Sequence, residues 1–219
     1  MAGLLFLGKD NDPHCLKALE FCQTHFPNVT YFLGQWEEDL PQKMCNWTGD
    51  YLISFLSRWI VPEEVLKSAT IAAINFHPAP PEYPGNKCYN FALYEQAETY
   101  GVTCHHMTRR VDSGKIIAVK RFEIHPKETL ASLISRAYDY QLELFYEVMA
   151  VLRKNGRLPL ASEQWRKPPF TNRDFDTLKV ITPDMDKSEF ERRIRATSYG
   201  KWQPSVKIHG FKFVLESEE

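Results

Sequence analysis

Asn75 and His77 stand two residues apart in the apolar run Ile74-Asn75-Phe76-His77-Pro78. At strand spacing both side chains project to one face while Phe76 turns to the opposite layer. Pro78 cannot extend a hydrogen-bond ladder, which puts the pair at the carboxyl end of its strand. In open α/β sheets that edge is where ligands bind. An amide and an imidazole presented together there suit a reaction that develops negative charge on a carbonyl oxygen. The plain alternative is an Asn/His pair that only hydrogen-bonds the turn Pro78-Ala79-Pro80. A second stretch, from Gly101 to Ile116, reads as a strand, a loop carrying Asp112 ahead of Gly114, and a returning strand. A carboxylate in that loop could reach His77, fix its ring and favour its protonated form. An Asp before Ser-Gly also closes loops as an Asx turn, and spacing alone leaves both readings open. His105-His106 invites a metal site with Cys104 and His77. Adjacent strand residues face opposite ways, so no metal is expected.

The elements that must position these groups alternate. Strands are predicted at 4–7, 29–33, 51–56, 71–76, 102–107 and 116–122, and helices at 14–26, 63–69, 89–98 and 128–154. Asp12-Pro13 has the form of a helix start, and Gly156 is the stop of the long helix. Strands linked by helical segments imply right-handed crossovers and an α/β fold, an open, mostly parallel twisted sheet with helices on both faces. After Gly156 the character changes: Pro159, Pro168 and Pro169 mark an extended connector. Asp186-Lys187-Ser188-Glu189 looks like a capping box opening a basic helix over 189–195, and 206–215 reads as a β-hairpin around His209-Gly210. A lone hairpin is marginal in water, so this tail must dock on the parent domain or on a second copy of the chain. The expected division is a catalytic domain over 1–157 and a C-terminal extension of helix and hairpin over 158–219.

Composition narrows the function classes. The 219 residues are 43% hydrophobic, enough for one substantial core and a small appendage. Lys and Arg number 27 against 28 Asp and Glu, which disfavours nucleic acid as the partner while leaving room for a local basic pocket. No apolar run is long enough to span a bilayer. The N-terminal run lacks a basic leader and reads as a first strand instead of a signal peptide. Five cysteines without a C-x-x-C pair read as thiols in a reducing compartment, the cytoplasm.

The ordered set Asn75-Phe76-His77-Pro78, Gly101-Val102-Thr103 and Val111-Asp112-Ser113-Gly114 resembles the formyltransferase superfamily that uses 10-formyltetrahydrofolate. That superfamily includes the glycinamide ribonucleotide and methionyl-tRNA formyltransferases. The match covers about 51–124, and the strand-helix order carries it back to residue 1. It implies that Asn75, His77 and Asp112 are the catalytic residues. Within the superfamily, His77-Pro78-Ala79-Pro80-Pro81-Glu82-Tyr83-Pro84-Gly85 is similar to the sugar N-formyltransferases. So are Thr171-Asn172-Arg173-Asp174-Phe175-Asp176, the helix around Arg192-Arg193-Ile194-Arg195-Ala196-Thr197, and the closing hairpin.

This resemblance implies an enzyme that passes a formyl group from 10-formyltetrahydrofolate to the amine of a nucleotide-linked 3- or 4-amino-dideoxysugar. The nucleotide expected is dTDP, the setting O-antigen or glycan synthesis, and the assembly a homodimer built through the C-terminal region. It further implies that the folate lies against Phe55, Leu56, Trp59 and Ile60, with Thr108, Arg109, Arg110 and Val111 as its other wall. Lys9 and Lys87 are candidates for the sugar-nucleotide pyrophosphate, and Pro81, Glu82 and Tyr83 for the sugar pocket. Methionyl-tRNA formyltransferase would need a tRNA-binding domain that the residues after Gly156 can hardly supply. Glycinamide ribonucleotide formyltransferase fits by length, but the Pro80-to-Gly85 segment and the hairpin tail do not suit it. A silent folate- or nucleotide-binding module is the reading from another class.

Overall fold

Alternation along the first strand sets the architecture. In β1 (Leu4–Lys9) Leu4 and Phe6 enter one apolar cluster while Leu5 and Leu7 enter another, as in a strand covered on both faces. The computed structural model describes residues 3–200 and 202–216. The first two residues of the expected catalytic domain, and Lys201 and the last three residues of the expected extension, lie outside the described residues.

From β1 the chain runs through α1 (Pro13–His25), β2 (Val29–Gly34), a 3-10 turn (Gln42–Asn46), β3 (Gly49–Phe55), α2 (Glu63–Lys67) and β4 (Ala69–His77). It continues through α3 (Cys88–Tyr94), β5 (Thr99–His106), β6 (Ile116–Glu123) and α4 (Leu130–Asn155). The six strands form one sheet in the order β2-β1-β3-β4-β5-β6. β1 to β4 are parallel, whereas β5 is antiparallel to β4 and β6 to β5. The expectation that helices link parallel strands therefore fails at α3. β5 enters the sheet from the edge that β4 has just left.

Two faces of the sheet are covered differently. α1 and α4 pack with Phe6, Phe55, Ile74 and Phe76 in the larger cluster, where the Phe145 ring stands 5.2 Å from that of Phe76. α4 begins with a reciprocal cap between Thr129 and Ser132 and stops at Gly156, which takes a left-handed φ of 66°. The opposite face holds Leu5, Leu7, Leu52, Val61, Val65 and Met44 in a smaller cluster. Because Ile74 and Phe76 face α4, Asn75 and His77 face that second, more thinly covered side.

The C-terminal region comprises α5 (Asn172–Leu178), β7 (Val180–Ile181), α6 (Lys187–Thr197), β8 (Ser205–Ile208) and β9 (Phe211–Val214). The predicted hairpin is present, its turn made by His209 and Gly210 at φ 49° and 86°. It docks within its own chain, with β8 pairing parallel to β7. Only half of the expected capping box forms. Asp186 accepts the Glu189 N–H at 2.8 Å, but the Glu189 carboxylate is taken by Arg192, Arg193 and the Tyr94 hydroxyl.

The connector between α4 and α5 follows the segment 81–86 closely. Arg166 N–H donates to the Pro81 carbonyl at 3.0 Å, Phe170 N–H to Pro84 at 2.8 Å, and Asn86 N–H back to Phe170 at 2.9 Å. The Phe170 ring stacks on Phe91 with centroids 3.8 Å apart. Gly85 permits this approach: its φ is 87°, and an added Cβ would lie 2.4 Å from the Phe170 carbonyl oxygen.

Candidate active site

Three loops and two strands bring the polar residues to one point. Asn75 and His77 end β4, and His105, on β5, sits directly opposite Asn75 in the antiparallel register. The loop after β5 folds back over them and delivers Asp112, whose φ of 44° lies in the left-handed region that Asp tolerates. Asp112 Oδ2 lies 3.4 Å from His77 Nδ1, and Oδ1 lies 3.3 Å from His105 Nε2. Oδ2 also accepts the Gly85 N–H at 2.7 Å. Asn75 Nδ2 is 3.2 Å from His105 Nε2. Residues 75, 77 and 112 converge, and a fourth group, His105, joins them. Glycine at 114 lets the loop close, since a Cβ there would sit 1.8 Å from the His106 carbonyl oxygen.

Burial governs the charges. His77, His105 and Asp112 are 6%, 2% and 5% exposed, while Asn75 is only half-buried. Burial pushes the Asp112 carboxyl up, but His77, His105 and the Gly85 N–H together outweigh it and hold the group down to about 2. Asp112 is therefore an anion throughout the physiological range. For His77 the carboxylate favours the protonated form as expected, but burial outweighs it and lowers the ring's pKa below the ordinary 6.5. Near neutral pH His77 is the free base. Its Nε2 stands 3.1 Å from the Tyr83 carbonyl, which can only accept, so Nε2 carries a hydrogen, and Nδ1 lies 3.4 Å from Asp112.

Trp165, from the connector, closes the cluster from outside. Its indole stands edge-on to His105 at 5.1 Å and to His77 at 6.0 Å between centroids, and its Nε1–H donates to the Gly114 carbonyl at 2.7 Å. The extension thus supplies a wall of the site as well as a separate small sheet.

The remaining expected residues are distributed around this centre. Phe55 and Leu56 are buried at the carboxyl end of β3, and Leu56 has a φ of 54°, unusual for a bulky residue. Trp59 donates to the Glu38 carbonyl at 3.0 Å, and Ile60 is 73% exposed. Met107, Trp59 and Val61 share the smaller cluster, so the 107–111 loop lies beside this segment. There Thr108 bonds Ser113 and the Arg110 carbonyl, while Arg109, Arg110 and Val111 are exposed. Lys9 pairs with Asp12 at 2.7 Å and lies 5.5 Å from the Tyr138 ring centroid.

Four substrate candidates turn elsewhere. The Tyr83 ring is packed between Tyr100 and Phe170, so the residue meets His77 through its carbonyl alone. Pro81 is buried under the connector, and Glu82 pairs with Arg121 at 2.9 Å. Lys87 lies 4.0 Å from the Trp202 ring centroid, against the extension and outside the cluster. Sequence reasoning missed His105 as a site residue, Trp165, and Arg58, whose guanidinium covers Trp36 at 4.5 Å. Among the described residues, no group of three or more His, Cys, Asp or Glu side chains is arranged to hold a metal ion, and no helix is long and apolar enough to cross a membrane.

An α/β sheet that gathers an amide, two imidazoles and a buried carboxylate at one strand end is the frame of a formyl transferase. The model of the formyl transferase family matches residues 33–149, more than half of the chain, and the chain belongs to that family. It is 27% identical over 179 residues to the GDP-perosamine N-formyltransferase of Brucella melitensis biotype 1, covering 79% of this chain and 66% of that protein. It is 30% identical over 107 residues to the bifunctional polymyxin resistance protein ArnA of Wigglesworthia glossinidia brevipalpis, covering 48% of this chain and 16% of that one. Among solved structures, the N-formyltransferase of Helicobacter canadensis in complex with folinic acid and dTDP-3-aminofucose superposes with a TM-score of 0.71 at 18% identity, over 96% of this chain and 85% of that one.

Proposed function

We propose that this protein is a sugar N-formyltransferase. It moves the formyl group of 10-formyltetrahydrofolate to the amine of a nucleotide-linked 3- or 4-amino-dideoxysugar, with dTDP as the nucleotide. The observation that carries this reading is the convergence of Asn75, His77 and Asp112 on one partly open point. Asn75, the most accessible of the three, donates an N–H to the formyl oxygen as the amine adds to the formyl carbon and charge gathers on that oxygen. Asp112, held near a pKa of about 2, is too weak a base to take the amine proton. His77, neutral near pH 7, is the stronger base of the two, and the Asp112 carboxylate 3.4 Å from its Nδ1 stabilises the proton once the ring holds it. The carbon–nitrogen bond to the new amine forms, the bond to the folate nitrogen breaks, and the proton held on His77 passes to the departing nitrogen.

The surroundings support the two substrates. Ile60 and Val111 offer exposed apolar surface on neighbouring segments, and the backbone turns sharply at Leu56, which suits a flat pterin held by main-chain groups. At the carboxyl edge of β1 and β3, Lys9 and Arg58 both act on the Tyr138 hydroxyl, and Arg58 also acts on Tyr89. Arg58 Nε and the Tyr89 hydroxyl are buried without a hydrogen-bond partner among the described residues. Two cations and an unpaired hydroxyl fit a pyrophosphate. The Helicobacter protein's folinic acid and dTDP-3-aminofucose fit this pair of ligands, while the Brucella relative's name points to GDP.

We place the chain in a homodimer through β9, where Phe211, Phe213 and Val214 are 71%, 57% and 55% exposed. Its five unpaired thiols suit the cytoplasm, and its product suits O-antigen or other glycan synthesis. The test is incubation with 10-formyltetrahydrofolate and a panel of dTDP-, GDP- and UDP-linked amino sugars, read by mass spectrometry. One or more N-formylated products are expected. Tight folate binding with no product from any acceptor sinks the reading in favour of a silent folate-binding module.

A further inference from the structure

His105 is buried more completely than either of the residues it accompanies, yet nothing in the transfer step above uses it. Its environment is specific. Nδ1 stands 2.9 Å from the His106 carbonyl oxygen, an obligate acceptor, so the Nδ1 position carries a hydrogen. Nε2 then faces two groups at once, Asn75 Nδ2 at 3.2 Å and Asp112 Oδ1 at 3.3 Å. These two neighbours ask for opposite things. The amide N–H needs a lone pair on Nε2, whereas the carboxylate needs a hydrogen there. A neutral ring satisfies Asn75, and a charged ring satisfies Asp112.

We propose that His105 is a positioning residue for Asn75, its Nε2 lone pair taking one amide N–H and so aiming the other at the formyl oxygen. This rests on the oxyanion role given to Asn75 above. An amide group has two donors on one nitrogen, and free rotation of the side chain would leave either its nitrogen or its oxygen facing the substrate. Pinning one N–H fixes the plane of the amide and places its oxygen away from His105. Other charged or titratable groups facing His105 are His77 on β4, Asp112 in the β5–β6 loop, and His106 beside it with Lys115 nearby. The edge-on Trp165 indole closes the outer side. β6 also makes room here: Ile117 is an extra residue in its pairing with β5, opposite the Cys104–His105 step.

Two variants separate this role from a structural one. His105→Gln keeps an acceptor oxygen for the Asn75 N–H and cannot be protonated; His105→Leu removes the acceptor. With 10-formyltetrahydrofolate and the acceptor found in the panel above, H105L is expected to lose roughly 10- to 100-fold in kcat with KM little changed. H105Q is expected to keep most of kcat. Wild-type kcat in H105L, or equal loss in both variants, overturns the proposal. A measurement on the unmodified protein guards against misfolding and needs no turnover. Nitrogen-15 NMR of the His105 ring should report the Nδ1–H tautomer, with a hydrogen-bonded Asn75 side-chain amide coupled to Nε2. An Nε2–H tautomer, or an Asn75 amide with no coupling to the ring, equally overturns it. If these hold while Asn75→Ala leaves turnover intact, the oxyanion role of Asn75 has failed and the His105–Asn75 linkage has not.

Discussion

The cluster at the end of β4 and the small sheet β7-β8-β9 solve opposite problems. At the first, strongly polar side chains are buried, and each finds a partner inside the chain: Asp112 alone meets a backbone N–H and two imidazoles. At the second, apolar side chains are displayed. Phe211, Phe213 and Val214 of β9, and Leu215 just beyond it, are exposed on an edge strand that pairs only with β8 among the described strands. A buried charge is tolerable only when fully partnered, so the first region must be complete before any ligand arrives. An exposed apolar edge is a liability unless covered, and we propose that a second copy covers it. Chemistry and assembly are thus carried by parts of the molecule that should be separable by mutation.

The largest effect belongs to the cluster. Asn75→Ala is expected to lower kcat by ~10²–10³-fold while folate binding and self-association stay as in the unmodified protein; transfer kinetics beside sedimentation would check both. Asp112→Leu should blur the contrast by unfolding, because it strands the Gly85 N–H and two imidazoles. A loss of ~3 kcal/mol or more in urea denaturation is expected, with a change near zero counting against the account.

Acid should act strongly on the cluster. Asp112 titrates near 2 when folded against 3.8 otherwise, so its contribution is full above pH 4 and disappears as pH falls toward 2, on the order of 2 kcal/mol. His77 is depressed below 6.5, so the unfolded chain binds its proton first and stability also declines as pH drops below 6.5. Both signs agree: denaturation midpoints should fall on acidification, and the acid limb of kcat/KM should lie below 6.5. A limb above 6.5 would contradict the burial argument.

Phe213→Asp sharpens the comparison from the other side. It should shift the protein to monomer in analytical ultracentrifugation and leave kcat within a small factor. Lys9→Met is the mildest change, raising KM for the sugar nucleotide by about tenfold with kcat held. An unchanged KM would remove Lys9 from the pyrophosphate.

How much of this was legible beforehand depends on range. The β4 pair was readable because two-residue spacing and a following proline are local facts, and the parallel strands were readable as short apolar runs. The antiparallel turn at α3 was not, since a helical segment between two strands does not by itself say whether the second runs with or against the first. That single topological step hid His105, which faces Asn75 only because β5 runs backward beside β4. The protonation of His77 was misjudged for a related reason: an adjacent carboxylate can be inferred from a motif, whereas burial under Trp165 comes from a connector some ninety residues further on. The Tyr83 ring was likewise claimed for the sugar before Phe170 and Tyr100 were known to enclose it.

The central claim is that the Asn75–His77–Asp112 point moves a formyl group from folate to an amine. Mixing the protein with 10-formyltetrahydrofolate and the accepted sugar nucleotide, beside its Asn75→Ala form, tests it in one mass-spectrometric run. The account predicts that the sugar nucleotide gains the mass of one formyl group with the unmodified protein and almost none with the variant. Equal formylation by both proteins would contradict it.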